Sequence, residues 1–361
     1  MRKLLISLCA VLALTACDNQ KSDKPTITIG ASVPLTGDVA MYGNALKKSL
    51  DLALKDLNKQ DLKYNYKIVI EDDKFDVKQV LTNVNRFKSI NGANAVMSFW
   101  GTAGTVVSDW AEKNKVIHMA CAASDKVGLG YYNFNHATQP KTLVDRVLKY
   151  FRDNNFKKVG IVYLPALEIQ EHVDFVAPLF KTKGLDVVFV TPLNHDGRDF
   201  NIEIQKMKAK SPDVIYVLLQ SPTLNVFGKQ SKEQGLNVPM LSINNMVTAL
   251  EEYEGQAFVT EDSGTSSFTE HFESATGTEQ VGCVVNFYDG LNMLVHAYEN
   301  TELRDGETVP NNEDVVKTLL NIKNSDFKSV ISNITIDEEG NIDSPAVLKR
   351  IINGKPVMVE K

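Results

Sequence analysis

Cysteine is scarce in this 361-residue chain. Of four, Cys9 and Cys17 lie near the start, so Cys121 and Cys283 are too few for a disulfide-dense framework. The histidines His118, His136, His172, His195, His271 and His296 are dispersed, no Cys/His cluster has metal spacing, and no HExxH pair occurs, so neither a metal nor a cofactor is expected. G-x-S-x-G, G-x-G-x-x-G and Walker A segments are missing too, which removes the recognisable hydrolase, dehydrogenase and nucleotide-binding signatures. Glu171-His172 is the one neighbouring acid and imidazole worth naming, and adjacent helical positions point apart, so the chain reads as no enzyme. A net charge of −6 without a basic stripe argues against nucleic acid as a partner. Past the N-terminus no apolar run reaches membrane length, and no Gly/Ser- or Pro-rich linker divides the chain.

What is present begins at the N-terminus. Met1, Arg2 and Lys3 precede an apolar run from Leu4 to Leu14 that closes on Thr15, Ala16 and Cys17. This reads as a bacterial lipoprotein signal peptide over residues 1–16, too short for a membrane span of ~20 residues. The expectation is a chain lipidated at Cys17, with residues 17–26 as a solvated tether to a membrane. Asp18 resembles the residue that retains such lipoproteins at the inner membrane, which implies a periplasmic location.

The remainder exceeds what one core usually serves, and 43% hydrophobic with 23% charged residues fits a soluble globular protein of two lobes. Thr26 to Val33 reads as a strand stopped by Pro34, and Met41 to Leu57 carries apolar residues at helical spacing. Strand and helix patterns then alternate through Cys121, and a second series with the same rhythm runs from Leu143 to Thr260. The strands are mostly continuous apolar runs, the mark of parallel sheets covered on both faces. A long apolar helix spans Val284 to Tyr298, and the tail turns extended near Thr335 to Gly340 and Pro356 to Val359. Cys121 and Cys283 sit in apolar neighbourhoods that suit free buried thiols as well as a bridge, and the reading leans towards unpaired.

The segment ITIGASVPLTGDVAMYGNALKKSLDLALKDLN, Ile27 to Asn58, holds a P-x-[ST]-G loop at Pro34 to Gly37, Tyr42-Gly43, and a long helix with acid and asparagine near its end. With EDDKFDVKQV (Glu71 to Val80) and NFYDGLNMLVHAYE (Asn286 to Glu299), it resembles the type I periplasmic binding proteins of the branched-chain amino acid kind. The resemblance implies two Rossmann-like α/β lobes joined by a multi-strand hinge, residues 27–142 with 272–326 and residues 143–271 with 327–361. It further implies a small-molecule ligand in the cleft and an ABC permease partner in the inner membrane. The alternative on the same scaffold is a lipoprotein sensor or protein-binding regulator.

In an open α/β sheet a ligand sits beyond the carboxyl ends of the strands. Tyr42 and Trp100 are candidate aromatic walls there, although both residue types also pack as core. Gly101 and Thr102 open a helix whose amides and hydroxyls suit a carboxylate, and a threonine at such a place also serves as a cap. Ala122 to Ser124 resembles the family loop whose carbonyl and hydroxyl grip an amino acid. From the second lobe come Glu168 and Gln220. Asn244 stands where the family has the acid that pairs with the α-ammonium, so either Glu168, Glu171 or Asp125 replaces it, or the ligand lacks that group, or the alignment slips by a residue or two.

Overall fold

The computed structural model describes residues 24–360 except 123, 125, 195–197, 244–248, 250 and 332–333. Cys17, the signal segment and Asn244 therefore lie outside the described residues. Among the described residues no helix is long and apolar enough to cross a membrane.

Two seven-stranded sheets form the molecule. The first contains β1 (Thr26–Val33), β2 (Asn65–Asp72), β3 (Ala95–Phe99), β4 (Ile117–Cys121), β5 (Asn133–His136), β11 (Thr335–Ile336) and β12 (Asn341–Asp343) in the order β11-β12-β5-β4-β3-β1-β2. The second contains β6 (Lys158–Tyr163), β7 (Asp186–Pro192), β8 (Val214–Leu218), β9 (Met240–Ile243), β10 (Ala257–Glu261), β13 (Ala346–Ile352) and β14 (Lys355–Glu360) in the order β14-β13-β10-β9-β8-β6-β7. In each sheet five successive strands, β5-β4-β3-β1-β2 and β10-β9-β8-β6-β7, are parallel and wound identically, β12 adds a sixth parallel strand to the first, and the switch of winding direction falls between β1 and β3 and between β6 and β8. The sheets are mixed rather than purely parallel, because β11, β13 and β14 pair antiparallel at the outer edges.

Burial explains the strand patterns. Every residue of β1 after Thr26 is buried, since α1 (Ala40–Leu57) and α9 (Val284–Asn300) cover one face while α2 (Val77–Ser89) and α3 (Gly101–Asn114) cover the other. In the second lobe α4 (Pro140–Asp153) and α5 (Leu167–Thr182) share a core with β6 and β8, while α6 (Asn201–Ala209) and α7 (Thr223–Glu233) pack with the opposite face.

The chain crosses between lobes three times, after β5, after β10 and after β12. These crossings are bonded to one another: Thr138 Oγ1 lies 2.8 Å from Ser344 Oγ, and the Asp262 amide donates to the Pro345 carbonyl at 3.1 Å. The final crossing corrects the expected boundary at 326. Asn341 and Ile342 pair with Asn135 and His136, so the segment through Asp343 completes the first sheet before the chain returns to the second. Asp289 of the Y-D-G motif pins the preceding segment. Its carboxylate accepts from Ser329 Oγ at 2.7 Å and the Val330 amide at 3.0 Å, and it meets His136 Nε2 at 2.9 Å.

Cys121 and Cys283 are joined in a disulfide with Cα atoms 6.1 Å apart, against the expectation of unpaired thiols. The cause is tertiary. Cys121 ends β4 and Cys283 precedes α9, elements separated by 162 residues in sequence but packed side by side.

Candidate functional site

The carboxyl ends of β1, β3 and β4 carry the three loops expected to hold a ligand, and each is fixed by buried polar or sterically exacting residues. Asp72 at the end of β2 accepts from the Leu35 amide at 2.8 Å, the Thr36 amide at 3.3 Å and the Thr36 hydroxyl at 2.5 Å. Burial raises the Asp72 carboxyl, but these bonds outweigh it and hold the group below its ordinary value. Beside it Asp73 is fully buried and pushed up to about 6 by that burial, with the Phe75 amide and the Ser32 hydroxyl as partial compensation. The loop then lies so close to α1 that a Cβ at Gly43 would stand 1.9 Å from the Pro34 carbonyl oxygen. Only glycine permits that approach.

Tyr42, half-buried on the first turn of α1, stacks on Phe99 with ring centroids 6.0 Å apart. Trp100 follows Phe99 with φ 65° and ψ 157°, a backbone region that L residues rarely occupy, and its ring meets Phe75 at 4.2 Å. Its indole Nε1 is buried with no hydrogen-bond partner among the described residues. Phe75 is 46% exposed, and sequence reasoning missed it because a phenylalanine between charged residues carries no periodic signal.

The helix after β3 starts at Gly101. Thr102 lies within its first turn and does not cap it. The N-cap is Trp100, and no side chain caps the helix, so the first amides keep the unsatisfied donors and partial positive charge of a helix start. Gly101 and Ser124 face each other, with Ser124 Cβ 3.6 Å from where a Gly101 Cβ would stand.

The third loop is gripped by Asn135 of β5. Its amide donates to the Ala122 carbonyl at 2.9 Å and the Ser124 carbonyl at 3.3 Å, and its oxygen accepts from the Ala122 amide at 3.1 Å. Asn135 is fully buried. The Trp100 amide donates to the Cys121 carbonyl at 3.2 Å, binding the second loop to the third. Beneath them Glu261, at the end of β10, accepts from the Cys283 amide at 3.3 Å, and burial pushes its carboxyl up.

The opposing lobe contributes the loops after β6 and β8. Pro165 and Ala166 are exposed, as is Gln220, whose carbonyl accepts from the Leu224 amide at 2.9 Å as α7 opens. Glu168 lies in the first turn of α5, and its side chain is outside the description. Glu171 approaches Lys126 across the cleft at 3.7 Å, so these two sets of loops face one another. Its neighbour His172 turns away from the cleft, with Nε2 2.9 Å from the Tyr216 hydroxyl, and burial holds its imidazole down at about 4. The structure thus gathers Tyr42, Trp100, Gly101, Thr102, Ala122 and Ser124 on one wall and places Gln220 on the other.

Comparison with known proteins agrees with this architecture. The chain is 22% identical over 363 residues to a Leu/Ile/Val-binding protein homolog of Brucella abortus, covering 96% of this chain and 95% of that one. A second homolog, from Brucella melitensis, is 27% identical over 200 residues, where this chain spans about half (53%) of the relative's length. Among solved structures, the branched-chain amino acid binding protein LivJ of Streptococcus pneumoniae in complex with isoleucine superposes with a TM-score of 0.76 at 19% identity, covering 93% of this chain and 100% of that one. Residues 26–355 match the periplasmic binding protein family, and the chain belongs to that family of solute-binding proteins.

Proposed function

We propose that this protein captures a small solute, an amino acid or a related small carboxylate or amide, in the cleft between its lobes and delivers it to an ABC permease in the inner membrane. The first lobe binds first, with the uncapped start of α3 and the Thr102 and Ser124 hydroxyls receiving the ligand's carboxylate. Tyr42 and Trp100 wall its side chain. The second lobe then docks through the loops at Glu168 and Gln220, and closure is driven by contacts available only when the lobes meet. Lipid on Cys17 holds the protein to the membrane, with Asp18 favouring the inner one.

The observation that carries the reading is the coincidence of both winding switch points with small, polar loops facing across one cleft. A thermal-shift screen of amino acids, short-chain carboxylates, aromatic acids and amides identifies the ligand, since a molecule that binds only the native state raises the melting temperature. Scattering with that ligand then shows compaction. Thr102→Val and Ser124→Ala each weaken its affinity roughly tenfold, about 1.4 kcal/mol, and leave the ligand-free melting temperature unchanged. Unaltered affinity in both variants removes the loop assignment.

A further inference from the structure

Beneath the third loop, Cys121 Sγ, Cys283 Sγ and a Glu261 carboxylate oxygen all lie within 4.8 Å of one another. Cys121 is 1% exposed and Cys283 9%, while Glu261 is half-buried and accepts from the Cys283 amide at 3.3 Å. We propose that, once the disulfide is opened by a dithiol reductant, these three residues form a binding site for a thiophilic divalent cation such as zinc.

Chemistry and geometry both fit such an ion. Two thiolates and one carboxylate are a soft-to-borderline donor set that selects zinc or cadmium over magnesium or calcium. Thiolates bonded to zinc at about 2.3 Å with tetrahedral angles stand roughly 3.8 Å apart. Cα atoms 6.1 Å apart let the sulfurs separate to that spacing by side-chain rotation. The redox step balances: exchange with the dithiol breaks the Cys121–Cys283 bond, moves two electrons onto the cysteine sulfurs and leaves the reductant as its own disulfide. Its two protons pass to the new thiols and leave to solvent when the cation binds both thiolates. Oxidation of the pair consumes both sulfur ligands, so redox state gates the site. Since Ala122 follows Cys121 directly, occupancy reaches the ligand loop through one peptide bond.

The test uses the full chain, reduced by a phosphine under oxygen-free conditions, desalted, and titrated with zinc against a chromogenic chelator. The expected result is one zinc per reduced chain and none per oxidised chain, with a thiolate-to-cadmium charge-transfer band when cadmium replaces zinc. Cys121→Ser/Cys283→Ser retains no metal. Glu261→Gln keeps both thiols and loses at least the ten- to hundredfold in affinity that removal of a supporting group typically costs. Circular dichroism follows the fold throughout, and an ion retained by a chain that refolds around it counts as support. Reduced protein that holds no stoichiometric zinc, oxidised protein that holds it equally well, or Glu261→Gln with unchanged affinity overturns the site.

Discussion

The two lobes share one winding yet differ in how their cleft loops are held. In the first, Asp72 anchors the loop after β1, Asn135 anchors the loop after β4, and a disulfide ties that strand's end to α9. In the second, the loop residues Pro165, Ala166 and Gln220 are exposed, and the bonds beside them include local ones such as the Ala166 amide to the Leu164 carbonyl, the Leu224 amide to the Gln220 carbonyl and Ser221 Oγ to Asn225 Oδ1. The contrast assigns roles. A surface that must recognise the solute before closure is preorganised, while the surface that arrives afterwards can adapt to what it covers.

The strongest way to break that contrast is to remove the cross-link. Cys121→Ser/Cys283→Ser should lower unfolding stability by about 2–4 kcal/mol, because the bond closes a long loop in the unfolded chain. Urea midpoints of the oxidised wild type and the variant measure it. Next, Asn135→Ala removes the acceptor of the buried Ala122 amide and one of the two donors to the Ala122 carbonyl, which keeps the Ser124 amide, and should cost about 1–3 kcal/mol, whereas Gln220→Ala on the facing lobe should stay within about 0.5 kcal/mol.

Acidity separates the lobes in a third way. Burial holds both His118 on the first lobe and His172 on the second at about 4, below the ordinary value of 6.5. The unfolded chain takes up these protons first, so each histidine stabilises the fold above pH 6.5, and the contribution is lost as pH falls towards 4. Asp73 acts oppositely on the first lobe: with its carboxyl raised to about 6, the native state holds that proton more tightly, and stability rises as pH falls through 6 towards 4. Between about pH 7 and about pH 4.5, Asp73→Asn should therefore lose stability more steeply than wild type and His172→Gln less steeply. Denaturant midpoints at the two pH values settle both signs. The smallest effect belongs to the ion pair across the cleft: Lys126 and Glu171 are 65% and 57% exposed, and Lys126→Ala should change stability by at most about 1 kcal/mol, less in high salt.

Much of this molecule was legible in its residues. Continuous apolar strands and 3.6-residue helices marked both windings, and the segment from Ile27 to Asn58 carried the family. What its motif acids do was not legible: Asp56 binds His271 at 2.7 Å and Tyr288 at 3.0 Å to hold α1 against α8 (Ser266–Thr276) and α9, so it serves the scaffold rather than a ligand. Strand β5 escaped because three of its four buried residues, Asn133, Asn135 and His136, are polar, and their burial is supported largely by partners such as His118, Ala122 and Asp289 that lie elsewhere in the sequence. The helix start at Gly101 was legible from its place after a strand, whereas the absence of a cap from Thr102 was not. The disulfide had no local signal at all.

The three crossings also govern how the polypeptide acquires its shape as it emerges from the ribosome. The first sheet requires β12, ending at Asp343, and the second requires β13, ending at Ile352, so neither lobe is complete until nearly the whole chain exists. A nascent or truncated product ending near residue 260 owns most of both cores but lacks α9 over one and the antiparallel edge beside the other. Such an intermediate exposes the apolar side chains of β3 and β4 that α9 covers and the unpaired edge of β10, which makes it a substrate for holding chaperones and proteases until the last strands are laid in.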